Sequence, residues 1–242
     1  MTRPRRKPGR AMAGILSCVC AALVFPGCRP DHLQEIGDMN RAATPAPIPP
    51  ASAAAIPAKR FSIPPAEAAE VFGEALRRGL PANGLLVVAD IRLQRLLVVE
   101  AAGVVCEYAM SSSKYGTGNK VGSNQTPLGW HRVSERIGGD QIHGRSFTSR
   151  RPDPVVLDPA DWRSDGGRDY VLTRILWLTG LEPGVNAGGS VDSHERCIYI
   201  HGTNQEHLLG QPASHGCIRL SNRDVMELYD VSEGREVYCL IR

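Results

Sequence analysis

No apolar run in this 242-residue chain reaches the roughly 20 residues that a membrane-spanning helix needs. The nearest, Ala11 to Phe25, follows Arg3, Arg5, Arg6, Lys7 and Arg10 with no acid among them, and it ends at Pro26-Gly27-Cys28. That is the order of a secretory signal peptide over residues 1–27, so export to the periplasm or cell envelope is expected. A basic domain is missing too. Removing residues 1–27 takes five of the 28 Lys and Arg side chains and none of the 25 acids, and the formal net charge falls from +3 to −2. The positive excess belongs to the leader, and without an electrostatic footprint nucleic-acid binding is excluded. Zinc-type spacing such as Cys-x-x-Cys is also absent, and no metal or cofactor is expected. Of the seven cysteines, Cys18, Cys20 and Cys28 belong to the leader and its end, leaving Cys106, Cys197, Cys217 and Cys239. Cys106, Cys197 and Cys239 lie in apolar β-like runs, where a free cysteine packs as a small hydrophobe, so burial is expected for these three. Cys217 alone lies in a polar loop.

Cys28, directly after an apolar segment and a Gly, resembles the lipobox cysteine of bacterial lipoproteins, although Phe25 and Pro26 depart from that pattern. A lipid anchor at Cys28, with outer-membrane sorting, stands beside an ordinary soluble periplasmic product as the two readings. Residues 28–60 are rich in Ala and Pro, with Pro45, Pro47, Pro49, Pro50 and Pro57, and carry no apolar period to bury. They read as an extended tether.

Residues 61–83 predict one amphipathic helix flanking the domain, capped by Ser62 and closed by Gly79, with Val71, Phe72, Ala75 and Leu76 as its apolar stripe. From Gly84 the period shortens to that of strands. Leu85–Ile91, Leu96–Glu100 and Val104–Ser111 predict an antiparallel meander, followed by an exposed loop to Gln125 and a turn at Thr126-Pro127 into another strand. Residues 138–168 are too polar and too long for an ordinary connection and read as an insertion that covers the site. Tyr170–Leu178, Arg196–Ile200 and Val237–Ile241 predict further strands, and Ser221 caps a helix over Asn222–Tyr229. The expected fold of residues 84–242 is mainly β, a sandwich or barrel with a few short helices.

The chemistry gathers in Ile200-His201-Gly202-Thr203 and Ser214-His215-Gly216-Cys217-Ile218-Arg219. A free thiol has a pKa of about 8.5, so at neutral pH a cysteine nucleophile needs an adjacent imidazole to take its proton. His201, at a strand end, is the expected base, with His215 as its rival. No acid sits in the motif, which leaves the Gly202 carbonyl to orient the imidazole. Backbone N–H groups around Gly216 and Cys217 would serve a developing oxyanion, and Ser214 would brace the loop. Arg219 reads equally as a carboxylate-binding group or as the partner of Asp224 or Glu227. Trp130 is a core or groove aromatic.

These two blocks resemble the signature of the L,D-transpeptidase catalytic domain of bacterial cell-wall enzymes, and so do Gln94-Arg95 before Leu96-Leu97-Val98-Val99 and the turn Thr126-Pro127-Leu128-Gly129-Trp130. The resemblance covers roughly Gly84 to Arg242. It implies Cys217 as nucleophile, His201 as the proton-transfer group, and His215 as a shaper of the loop, with Gly202, Gly216 and Ser214 in support. It implies peptidoglycan stem peptides as partners bound near Arg219 and Trp130, and it allows a wall-attached protein amine as acceptor. Arg219 stands where many members have Asn. Hydrolysis by the same thioester, as an L,D-carboxypeptidase or endopeptidase, is one alternative. A non-catalytic wall-binding module is another, and a zinc site built from His201, His207, His215 and Cys217 is a third.

Overall fold

The computed structural model describes residues 61–162 and 168–242. The leader, the tether and Cys28 lie outside the described residues. Within them, no helix is long and apolar enough to cross a membrane.

Helix α1 (Pro65–Arg77) buries Ala68, Val71, Phe72 and Ala75. Its N-cap is Pro64 and not Ser62, whose backbone N–H instead donates to Glu107 Oε2 at 2.8 Å. Proline suits the first helical position because its missing N–H would have no partner there, so Pro65 starts the helix without a side-chain cap. Leu76 is exposed, and Leu80, just past the helix, fills the core in its place.

Among the described residues, ten strands form one mixed sheet: β1 (Leu85–Asp90), β2 (Arg95–Glu100), β3 (Gly103–Ala109), β4 (Gly129–Ile137), β5 (Arg145–Thr148), β6 (Arg151–Val156), β7 (Val171–Gly180), β8 (Tyr199–Gly202), β9 (Ile218–Leu220) and β10 (Val237–Ile241). The order is β3-β2-β1-β10-β4-β7-β5-β6, with β8 paired to β7 and β9 to β8. The mainly β architecture and the β1–β3 meander agree with the sequence reading. Two pairings are parallel, β1 with β10 and β8 with β9. Both need long connections, and a parallel neighbour cannot be read from strands that are distant in sequence.

One core lies between the sheet and α2 (Asn222–Val231), around Leu85, Val87, Leu176, Leu178, Ile200, Ile218, Val225 and Leu228. A second lies under α1 and includes Leu86, Val88, Leu97, Val99, Trp130 and Tyr238. The alternation Leu85/Leu86/Val87/Val88 along β1 feeds both, as the two-residue period of a strand requires. Ser221 caps α2 as expected, accepting the Asp224 N–H at 3.0 Å.

The 138–168 insertion contains the β5–β6 hairpin and a 3-10 turn at Pro159–Asp161. Pro152 and Pro154 argue against a strand in sequence, but β6 is an edge strand, where a missing N–H costs little. The hairpin packs Phe147 into a third apolar cluster, with Ile175, Trp177 and Tyr199, against which Cys197 and Cys217 lie.

Candidate active site

The parallel register of β8 and β9 pairs Ile200 with Ile218 and His201 with Arg219. Continued one residue back, it sets Cys217 beside Tyr199, and the Tyr199 N–H indeed points at Cys217 Sγ at 3.4 Å. Tyr199 and His201 are two apart on one strand and share a face. Cys217 packs in the Tyr199 cluster. The thiol and the imidazole therefore lie on one face of two adjacent strands, as diagonal neighbours.

His201 is 3% exposed, and its Nδ1 lies 2.7 Å from the Gly202 carbonyl oxygen. A carbonyl only accepts, so Nδ1 carries the proton and Nε2 is left with a free lone pair. Burial pushes the imidazole pKa well below its usual value, against the opposing pull of the Asp169 carboxylate. Burial likewise pushes the Cys217 thiol up, to about 12, while the Tyr199 N–H and the Arg219 charge pull it down. Burial thus favours a neutral thiol and a neutral imidazole. The Cys217 S–H donates to the Cys197 carbonyl at 3.4 Å.

Glycine is required at position 202 by space. A Cβ there would stand 2.4 Å from Asn222 Oδ1 and 2.8 Å from the Leu172 carbonyl oxygen. Asn222, the first residue of α2, accepts from Thr173 Oγ1 at 2.6 Å and donates through Nδ2 to the Thr203 carbonyl at 2.7 Å. This network fixes the turn that carries the orienting carbonyl. At Gly216 the requirement is conformational, because φ is +130°.

The cysteine loop is held from within and from outside. Ser214 is buried, donates to the Cys217 carbonyl at 2.6 Å, and accepts the Gly216 N–H at 3.2 Å. Thr126 Oγ1 donates to the Gly216 carbonyl at 3.0 Å, and the Lys114 N–H donates to the Ser214 carbonyl at 3.1 Å. The expected exposed loop therefore begins with buried residues, Ser111, Ser112 and Ser113, which clamp this segment. Of the two N–H groups assigned to an oxyanion, that of Gly216 is taken by Ser214. The Cys217 N–H has no hydrogen-bond partner among the described residues.

Neither Arg219 nor Trp130 is placed to bind a substrate, and Trp130 takes the core alternative of its two readings. The Arg219 side chain is 1% exposed, ion-paired with Asp169 and bonded to Gln205 Oε1 at 2.9 Å. Neither Asp224 nor Glu227 is its partner, and a buried, neutralised guanidinium is not free to meet a substrate carboxylate. Trp130 is buried in the α1 cluster under the Arg78 guanidinium, apart from the Cys217 cluster. It is a core residue, held there because β4 pairs with β10 beneath α1. His215 is exposed, its Nδ1 3.3 Å from Asp169. Sequence reasoning missed Asp169, which lies just past the insertion and far from both blocks.

Cys239 is buried as expected, whereas Cys106 and Cys197 are half-buried. Cys106 faces Glu227 from β3, and Cys197 sits in a turn with φ +56° and not in a strand. No three His, Cys, Asp or Glu side chains come together as a metal-binding group among the described residues. His201, His207, His215 and Cys217 are thus not assembled as a zinc site.

A model of the L,D-transpeptidase catalytic domain family matches residues 85–238, more than half of the chain. A search of the curated proteins found no match. Among solved structures, an L,D-transpeptidase from Mycobacterium smegmatis is 22% identical, with 65% of this chain and 58% of that chain covered and a TM-score of 0.36. L,D-transpeptidase 3 from Mycobacterium tuberculosis, in complex with a faropenem-derived adduct, is 17% identical over 66% of this chain and 60% of that one, with a TM-score of 0.39. The L,D-transpeptidase of Xylanimonas cellulosilytica is 21% identical over 72% and 68%, with a TM-score of 0.37. The chain spans less than two thirds of the length of both mycobacterial structures.

Proposed function

We propose that this chain, which belongs to the L,D-transpeptidase catalytic domain family, is a cysteine acyltransferase acting on peptidoglycan stem peptides. What supports this reading is the register of β8 and β9, which puts Cys217 and His201 on a common strand face, with the His201 Nδ1–H committed to the Gly202 carbonyl. An imidazole fixed in that tautomer offers Nε2 to the thiol as a base.

The sulfur attacks the carbonyl carbon of the amide between an L-centre and a terminal D-residue. Its proton passes to His201 Nε2 as the S–C bond forms, because burial favours the neutral thiol and the neutral imidazole. The developing oxyanion meets the Cys217 N–H. Nε2 returns the proton to the departing amine, the C–N bond breaks, and a thioester remains on Cys217. An acceptor amine of a second stem, or of a wall-attached protein, then attacks the thioester and loses its proton to Nε2. The thiol is restored as the new amide forms.

The apolar run Ala11 to Phe25 behind a basic start supports export to the envelope, and Cys28 at its end supports a lipid anchor as one form of that export. The test is mass spectrometry of muropeptides incubated with the protein. A dimer joined through the new amide supports transfer. A trimmed monomer alone assigns hydrolysis, and unchanged muropeptides contradict the reading.

A further inference from the structure

Arg150 stands at the tip of the β5–β6 hairpin, half-buried, and no carboxylate pairs with it among the described residues. The two-residue turn is Ser149-Arg150, with φ of +48° and +68°. Such a turn favours Asn and Gly, so an arginine there needs contacts of its own side chain to hold it. It has them. Nη1 donates to Tyr199 Oη at 3.0 Å and to Cys197 Sγ at 3.5 Å, and the guanidinium lies over the Trp177 ring, 4.2 Å from its centroid. Nε and Nη2 make no hydrogen bond among the described residues, and neither is buried.

Two residues join this cation to the nucleophile. The Cys197 sulfur meets Arg150, while the Cys197 carbonyl accepts the Cys217 S–H at 3.4 Å. The Tyr199 hydroxyl meets Arg150, while the Tyr199 N–H points at Cys217 Sγ at 3.4 Å. The guanidinium is thus one residue away from the sulfur by two separate routes. The amide that Cys217 is proposed to open has a free carboxylate at the same remove, because the terminal D-residue beyond the scissile bond ends in one. Other arginines of this region are already engaged: Arg219 pairs with Asp169, and Arg196 donates to the Gly118 and Gln125 carbonyls. We infer that Arg150 is the specificity-determining residue that binds the terminal carboxylate of the donor stem. Its unused Nε–H and Nη2–H form a fork that matches the two oxygens of a carboxylate.

The inference rests on the stem-peptide reading, and its test separates the two. Binding needs no turnover, so the full chain carrying Cys217→Ala is titrated by calorimetry with a stem tetrapeptide ending in a D-residue and with the same peptide as its C-terminal carboxamide. The free acid is expected to bind about tenfold more tightly than the amide, the scale of one charge-assisted pair. Adding Arg150→Gln should weaken the acid about tenfold and leave the amide within about threefold, which removes the preference. A residue that only held the hairpin would weaken both peptides alike. Arg150→Lys keeps the charge without the fork and should retain a preference of about threefold, and it decides if Arg150→Gln does not fold. Equal binding of acid and amide before Arg150 is changed, an acid preference that survives in Arg150→Gln, or an undiminished one in Arg150→Lys overturns the assignment. If Cys217 of the parent still forms its thioester in that case, the stem-peptide reading stands and only the role of Arg150 falls. Binding of neither peptide contradicts both.

Discussion

Asp169 and Arg219 form an ion pair across 50 positions of sequence, and the arginine is 1% exposed while the aspartate is 28% exposed. Breaking such a pair from one side leaves a buried charge unpaired, which costs more than removing both charges. Asp169→Ala is expected to lower stability by about 3 kcal/mol, and Asp169→Asn with Arg219→Gln to recover part of that loss. Urea unfolding of the single and double variants measures it. Equal losses in both would mean that the pair is not coupled.

His201→Ala should slow acylation of Cys217 by a factor on the order of 100 to 10,000, the scale of general-base catalysis. His215→Ala should cost less, since His215 is exposed and touches Asp169 rather than the strand face of the thiol. Because burial holds the thiol near 12, hydroxide rescue of His201→Ala should keep rising about tenfold per pH unit beyond pH 9, with no plateau at the ordinary thiol value. Single-turnover rates against pH check this. Rescue in His215→Ala with a parent-like His201→Ala would exchange the two roles.

Ser214→Ala removes the hydroxyl that bridges the Gly216 N–H and the Cys217 carbonyl. Stability should fall by about 1 to 2 kcal/mol, and acylation should slow by at least about tenfold as the loop loses its shape. Parent-like acylation in a folded Ser214→Ala protein would remove Ser214 from the site.

The strands β1 to β4, β7 and β10, the Ser221 cap and the two histidine and cysteine blocks were legible because each depends on a local signal: alternation, a capping side chain or a short motif; β5, β6 and β9 carry no such signal. Asp169, Thr173 and Asn222 were not legible. Each acts through a contact with a residue distant in sequence, and none is unusual in its own segment. Arg219 shows the same limit, since its partner is not the nearby Asp224 or Glu227 but Asp169, just past the insertion and 50 positions away. Trp130 was ambiguous for a different reason. An aromatic after a turn looks the same whether the strand faces a groove or the underside of a helix, and only the β4–β10 pairing decides.

His131 is fully buried, with Nε2 2.9 Å from Ser193 Oγ, and burial pushes its pKa from 6.5 down to about 4. The unfolded chain therefore binds the proton more readily, and stability that is full above about pH 6.5 is lost as pH falls toward about 4. The loss from this group approaches about 3 kcal/mol, and His201 acts in the same direction. Urea unfolding at several pH values should show this slope. His131→Gln should flatten it, and an unchanged slope would contradict the assignment.

Cys217 Sγ is the atom proposed to carry the acyl group, and trapping that intermediate is its direct test. The full chain is mixed with a stem tetrapeptide ending in a D-residue, quenched in acid within one turnover, and digested for mass spectrometry. The expected result is a thioester of the tripeptide on the Cys217 peptide, absent from Cys217→Ala, which should remain folded and form no product. Product released by Cys217→Ala, or an acyl group found on another residue, would contradict it.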